Sequence, residues 1–88
     1  MDHLLSRSRQ FLDHLELLGP VARTESFMHE ALETGGSYVP ARDGDDWASH
    51  LAEIDLHGFH ASGASEEEAQ RNWMRMARRE MPIEGLRA

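Results

Sequence analysis

The run "WASHLAEIDLHGFHASG" (Trp47–Gly63) decides the fold, because it can be read in two ways. As extended chain, His50, Ala52, Ile54 and Leu56 fall on one side and Leu51, Glu53, Asp55 and His57 on the other. That is the period of two expected of a half-buried strand. Gly58 then marks a bend or bulge before a last strand, Phe59–Ser62. As a helix, Asp46 caps, Trp47, Leu51 and Ile54 share a face, and Gly58 closes the segment. Helix propensity favours this second reading through Ala, Leu and Glu. Local pattern alone leaves both open. The first leads to an α+β fold and the second to an all-α, four-helix arrangement.

The residues before this run add a strand signal without deciding between the two readings. Asp43-Gly44 is a hairpin signal. Tyr38 and Val39 precede it and Trp47 follows. Pro40 lacks an amide hydrogen, so it belongs on an edge strand or at a strand end.

Further out, the pattern is helical on both sides. Asp2 can cap a first helix, in which Leu4, Leu5, Ser8, Phe11, Leu12, Leu15 and Leu18 recur at steps of three and four. Gly19-Pro20 is expected to stop it, glycine by a left-handed exit and proline by opening the next helix. That second helix runs from Pro20 to Thr34, with Val21, Thr24, Phe27, Met28, Ala31 and Leu32 on its apolar side, and Gly35-Gly36 end it. At the other end, Gly63 releases the chain into a turn and Ser65-Glu66-Glu67-Glu68 reads as a capping box. Acids in the first turn and arginines in the last suit the helix dipole. Ala69, Trp73, Met76, Ala77 and Met81 are its expected buried stripe, Glu67 and Arg71 an i,i+4 pair, and Pro82 its stop.

Eighty-eight residues make one small domain with a thin core, and self-association as a homodimer would thicken it. The chain carries nine arginines, no lysine and a net charge of −7. That balance disfavours direct nucleic-acid binding. No cysteine is present, so disulfides and thiolate metal sites are excluded, in keeping with a reducing cytoplasm. The N-terminus lacks the apolar core of a signal peptide, and no apolar run has the length of a membrane span.

Residues 36–79 resemble the HicB-type antitoxin domain. The resemblance rests on Asp43-Gly44, Trp47, Leu56-His57-Gly58-Phe59, Ala61, Gly63, Ser65 and Glu67-Glu68-Ala69, which stand where that family has strand, turn, strand, bend, strand and a helix opened by T-x-E-E-A. His57 replaces the family's usual proline and Phe59 its small residue or cysteine, two helices precede the match, and nothing after Met81 supplies the family's DNA-binding segment. The resemblance implies a three-stranded antiparallel sheet with a packed helix, a protein-binding role and self-association. It favours the α+β reading: a helical hairpin over 1–35, a βββα core over 36–81 and a flexible tail over 82–88.

Chemistry points away from catalysis. The carboxylates Asp43, Asp45 and Asp46 lie in an expected turn, and Glu66–Glu68 in the capping box, both wet, so the pKa separation that general acid–base work needs is not expected. His50, His57 and His60 lack the spacing of a zinc motif. Neither a cofactor nor a metal is expected, and the chain is not expected to be an enzyme. The expected function is a non-catalytic module that masks or inhibits a partner protein, antitoxin-like or of the phage-inhibitor type. The alternative is a small structural homodimer. An acidic chain is suited to a basic, nucleic-acid-binding protein as partner. The candidate partner-binding residues are Asp43, Asp45, Asp46 and Trp47, together with Arg71, Arg75 and Arg78 on the last helix, where Arg79 adds a fourth charge.

Overall fold

The computed structural model describes residues 3–42 and 51–81, with side chains from residue 7 onward. It has the α+β architecture: α1 (His3–Leu15), α2 (Pro20–Thr34), β1 (Ser37–Val39), β2 (Ala52–Leu56), β3 (Phe59–Gly63) and α3 (Glu66–Glu80). The three strands form one antiparallel sheet in the order β1-β2-β3. Tyr38 pairs with Ile54, and Ile54 with Ala61. The extended reading of the decisive run therefore holds from Ala52 onward. Alternation explains why: Ala52, Ile54 and Leu56 are buried while Glu53 and Asp55 are exposed. A helix would have scattered those three around its axis. The Asp43-Gly44 turn, with Asp45, Asp46, Trp47 and His50, lies outside the described residues, as do Pro82 and the tail.

The turn between β2 and β3 is tighter than a bend or bulge. Leu56 pairs directly with Phe59, so only His57 and Gly58 lie between the strands. Both take positive φ, 54° and 84°. Two left-handed residues in succession are the signature of the hairpin turn whose twist matches that of the strands. Glycine adopts this freely, whereas histidine is strained there and must be held by its contacts. Gly63 also differs from expectation. It is buried within β3, and a Cβ there would sit 2.5 Å from the Ala69 amide nitrogen and 2.8 Å from Glu68 Cβ. The missing side chain is what lets the first turn of α3 lie on the sheet.

Both ends of α3 follow from local chemistry. Ser65 Oγ accepts from the Glu68 amide at 3.1 Å, and Glu68 Oε1 accepts from the Ala64 amide at 2.9 Å, one residue before the expected serine amide. Met81 is extended, as the residue before a proline should be. The first helix ends differently from expectation. Gly19 is extended, with φ −78°, and serves as N-cap of α2 instead of a left-handed exit from α1. The carbonyls of Leu15 and Leu18 are met by the Arg23 guanidinium at 3.3 and 2.8 Å. A cation at a helix C-terminus also suits the dipole.

Trp73 organises the core. It is fully buried and its Nε1 donates to Leu56 O at 3.2 Å. Its ring meets Phe11 of α1, Phe27 of α2 and Phe59 of β3 edge-on, at centroid distances of 5.7, 5.4 and 6.1 Å. Leu12, Leu15, Ile54, Leu56, Ala69 and Ala77 belong to the same buried cluster. On α3 the buried set also includes Gln70 and Met74, while Met76 is only half-buried. The buried arc is shifted because helices as well as the sheet cover α3. Gln70 Nε2 donates to Thr24 Oγ1 at 2.9 Å and to Tyr38 Oη at 2.8 Å, and Tyr38 Oη donates to Glu66 Oε1 at 2.8 Å. That chain ties α2, β1 and α3 together, and burial, with Glu66 assisting, pushes the Tyr38 phenol up to about 12.

Candidate protein interface

α2 carries the feature that the core does not account for. Phe27 and Ala31 face inward and are buried. Val21, Met28 and Leu32, placed at i, i+7 and i+11, share another side of the helix. They are 73, 45 and 84% exposed, and Leu17 in the preceding turn is 82% exposed. The expected single apolar side of α2 is thus two: one faces the core, the other water. Lone surface leucines are ordinary, but aligned ones form a patch of the sort that marks an interaction site.

Behind this stripe, α2 is fastened to the rest of the fold by a polar knot. Arg7 Nε donates to Glu30 Oε2 at 2.9 Å, and Arg7 Nη2 reaches Glu33 Oε1 at 3.2 Å. His57 Nε2 stands 2.8 Å from the same Glu30 oxygen, and its side chain is 5% exposed. Burial pushes the Glu30 carboxyl up, but the hydrogen bonds from Arg7 and His57 outweigh it and hold the group below its ordinary value. In turn, hydrogen bonds to Glu30 and Glu33 raise Arg7 above its usual range. This knot fixes the strained histidine turn and sets the angle at which α2 presents its outer side. His60, by contrast, is on the exposed face of β3 beside Asp55 at 3.6 Å. Among the described residues no group of three or more His, Cys, Asp or Glu could hold a metal ion.

A third feature is cationic. Arg71, Arg75 and Arg78 are exposed on α3. With Arg23, Met74 and Glu67 they line a groove of about 330 Å³. Arg78 pairs with Glu16 of the α1–α2 turn, and Arg75 Nη1 contacts Asn72 Oδ1 at 3.3 Å. The expected Glu67–Arg71 pair is not formed, and Arg71 keeps no ion-pair partner among the described residues. The structure thus brings together the three arginines singled out from sequence. It adds Arg23 to them, and says nothing of Asp43, Asp45, Asp46 and Trp47. Sequence reasoning missed the stripe's exposure and the His57–Glu30 contact. The available signal was an apolar arc on α2 wider than one core-facing side needs.

No family model, characterised protein or solved structure matches the chain. Among the described residues no helix is long and apolar enough to cross a membrane.

Proposed function

We propose that the chain is a non-catalytic binding module that docks on a partner protein and masks it, in the manner of an antitoxin or a phage-type inhibitor. The observation that carries this reading is the outward stripe of α2, Val21, Met28 and Leu32, with Leu17 exposed in the turn before it. Exposed apolar side chains cost solubility, and covering them with a partner recovers about 0.8 kcal/mol per buried methylene. The strand–strand–strand–helix order is that implied by the resemblance of residues 36–79 to the HicB-type domain. The net charge of −7 would steer encounter with a basic partner, such as a nucleic-acid-binding protein. The cytoplasm is the proposed setting.

The test compares wild type with Met28→Glu/Leu32→Glu, both positions being exposed. Partners recovered with the tagged wild-type chain are identified and purified, then titrated calorimetrically against both forms. A basic protein that binds wild type, weakens at high salt and loses at least about tenfold in affinity with the variant supports the reading. Equal binding by both forms overturns the stripe as the interface. Recovery of the chain alone, with a sedimenting dimer that the variant abolishes, gives the stripe to a second copy and favours the structural homodimer.

A further inference from the structure

We infer that the arginine groove on α3 is a second docking site, and that its occupant is an acidic helical segment of another protein. Arg71, Arg75 and Arg78 stand at i, i+4 and i+7 on the exposed side of α3. They span about 10 Å along the helix axis. The groove lining holds four guanidiniums and one carboxylate, Glu67, on a chain whose net charge is −7. So the local charge opposes that of the molecule, and a short anionic ligand meets a field confined to this groove.

The guanidiniums are unequal. Arg23 is spent on the carbonyls of Leu15 and Leu18, so it supplies wall and charge. Arg78 is shared with Glu16. Arg71 and Arg75 are the two whose guanidiniums meet neither a carboxylate nor a main-chain carbonyl among the described residues. Arginine forks bind carboxylates in a bidentate, planar geometry. Met74, nearly buried in the lining, offers an apolar contact beneath them. Two carboxylates one helical turn apart, on an aliphatic stem, match that arrangement.

Two other occupants fit less well. A nucleic-acid backbone needs a long track of positive charge, and this groove is short on an otherwise acidic chain. A second copy pairing its α3 antiparallel would bring Arg71 and Arg75 of both chains together near the centre, where like charges repel. The site shares no residue with the α2 stripe and does not rest on the proposed function.

Fluorescence anisotropy tests it with the full chain and three probes: an alanine-based helical peptide bearing Glu at i, i+4 and i+7, the same peptide with Lys at those positions, and a single-stranded oligonucleotide of equal charge. The acidic peptide should bind saturably, at least about tenfold tighter than the lysine peptide, and weaken as salt screens the groove. Arg71→Glu/Arg75→Glu should lower that affinity at least about tenfold with an unchanged melting curve, and Arg71→Gln/Arg75→Gln by less. Met28→Glu/Leu32→Glu should bind the peptide as wild type does, which separates this site from the stripe. No saturable binding of the acidic peptide, undiminished binding by both arginine variants, or equal binding of the oligonucleotide would overturn the inference.

Discussion

α2 and α3 are both fifteen-residue helices, yet they use their apolar side chains differently. α3 lies on β3 and β2, and Ala69, Trp73, Met74 and Ala77 are all buried. α2 buries Phe27 and Ala31 and leaves Val21, Met28 and Leu32 outside. Periodicity says which residues share a side; it does not say that the side is covered. A helix between sheet and neighbouring helices has its whole apolar arc used. A helix on the outside has one contact face, and apolar residues beyond that face are surplus to folding. In α2 the surplus is aligned, which is why it carries the functional proposal.

If this contrast is right, the largest effects belong to α3. Trp73→Ala removes the ring that Phe11, Phe27 and Phe59 pack against, and should cost about 3–5 kcal/mol in denaturant unfolding. A loss under about 1 kcal/mol would show that Trp73 is not the centre of the core. Next comes Gly63→Ala, whose Cβ would press on backbone of the first turn of α3, 2.5 Å from the Ala69 nitrogen. Overpacking of that kind costs about 1–3 kcal/mol. Gly58→Ala is the control: space is open there, and only the positive φ opposes it. Gly63→Ala should therefore lower Tm more than Gly58→Ala does, and the reverse order would refute the close-approach argument.

The same contrast explains what was legible in the sequence. Ala52, Ile54 and Leu56 could be read as a strand because one sheet face is dry and the other wet, so burial reproduces the chemical alternation. Ser65 could be read as a cap because capping is local. The sequence reads as a bend or bulge at Gly58, and not as a two-residue hairpin turn, because histidine carries a weak hairpin signal and is held there by Glu30, twenty-seven residues earlier. No local pattern encodes that contact. The arginine face was legible from spacing on α3, but Arg23 joined it through tertiary packing alone. The exposure of Val21 and Leu32 depends on what does not pack on α2, and the sequence signals it only through an apolar arc wider than one core-facing side needs.

A smaller effect belongs to the knot between α1, α2 and the hairpin. Glu30 is held below its ordinary carboxyl value in the folded chain because the hydrogen bonds from Arg7 and His57 outweigh burial. The stabilisation is therefore full above the ordinary carboxylate range and is lost as pH falls through the lower folded value. Glu30→Gln should cost about 1–3 kcal/mol at neutral pH, from weakened charge-assisted hydrogen bonds. Its gap from wild type should narrow as both are unfolded at progressively lower pH. A gap that stays constant down to pH values where carboxylates protonate would mean that the Glu30 charge does not contribute.

The smallest expected effect on stability is the most informative about α2. Leu32→Ser exchanges a side chain that is 84% exposed, so the folded chain loses little packing. Unfolding free energy should change by no more than about 0.5 kcal/mol. For a domain of this size that is a Tm shift of about 2–4 °C. Phe27→Ala, on the inward side of the same helix, should cost about 3–5 kcal/mol, because Phe27 is fully buried against Trp73 and Phe11. A cost for Leu32→Ser approaching that of Phe27→Ala would mean that the outer side of α2 is covered in solution. A second copy would be one such cover. In that case the wild-type Tm must rise with protein concentration, by mass action, and the variant's must not. A small cost with a Tm independent of concentration leaves the stripe open to a foreign partner, as the binding proposal requires.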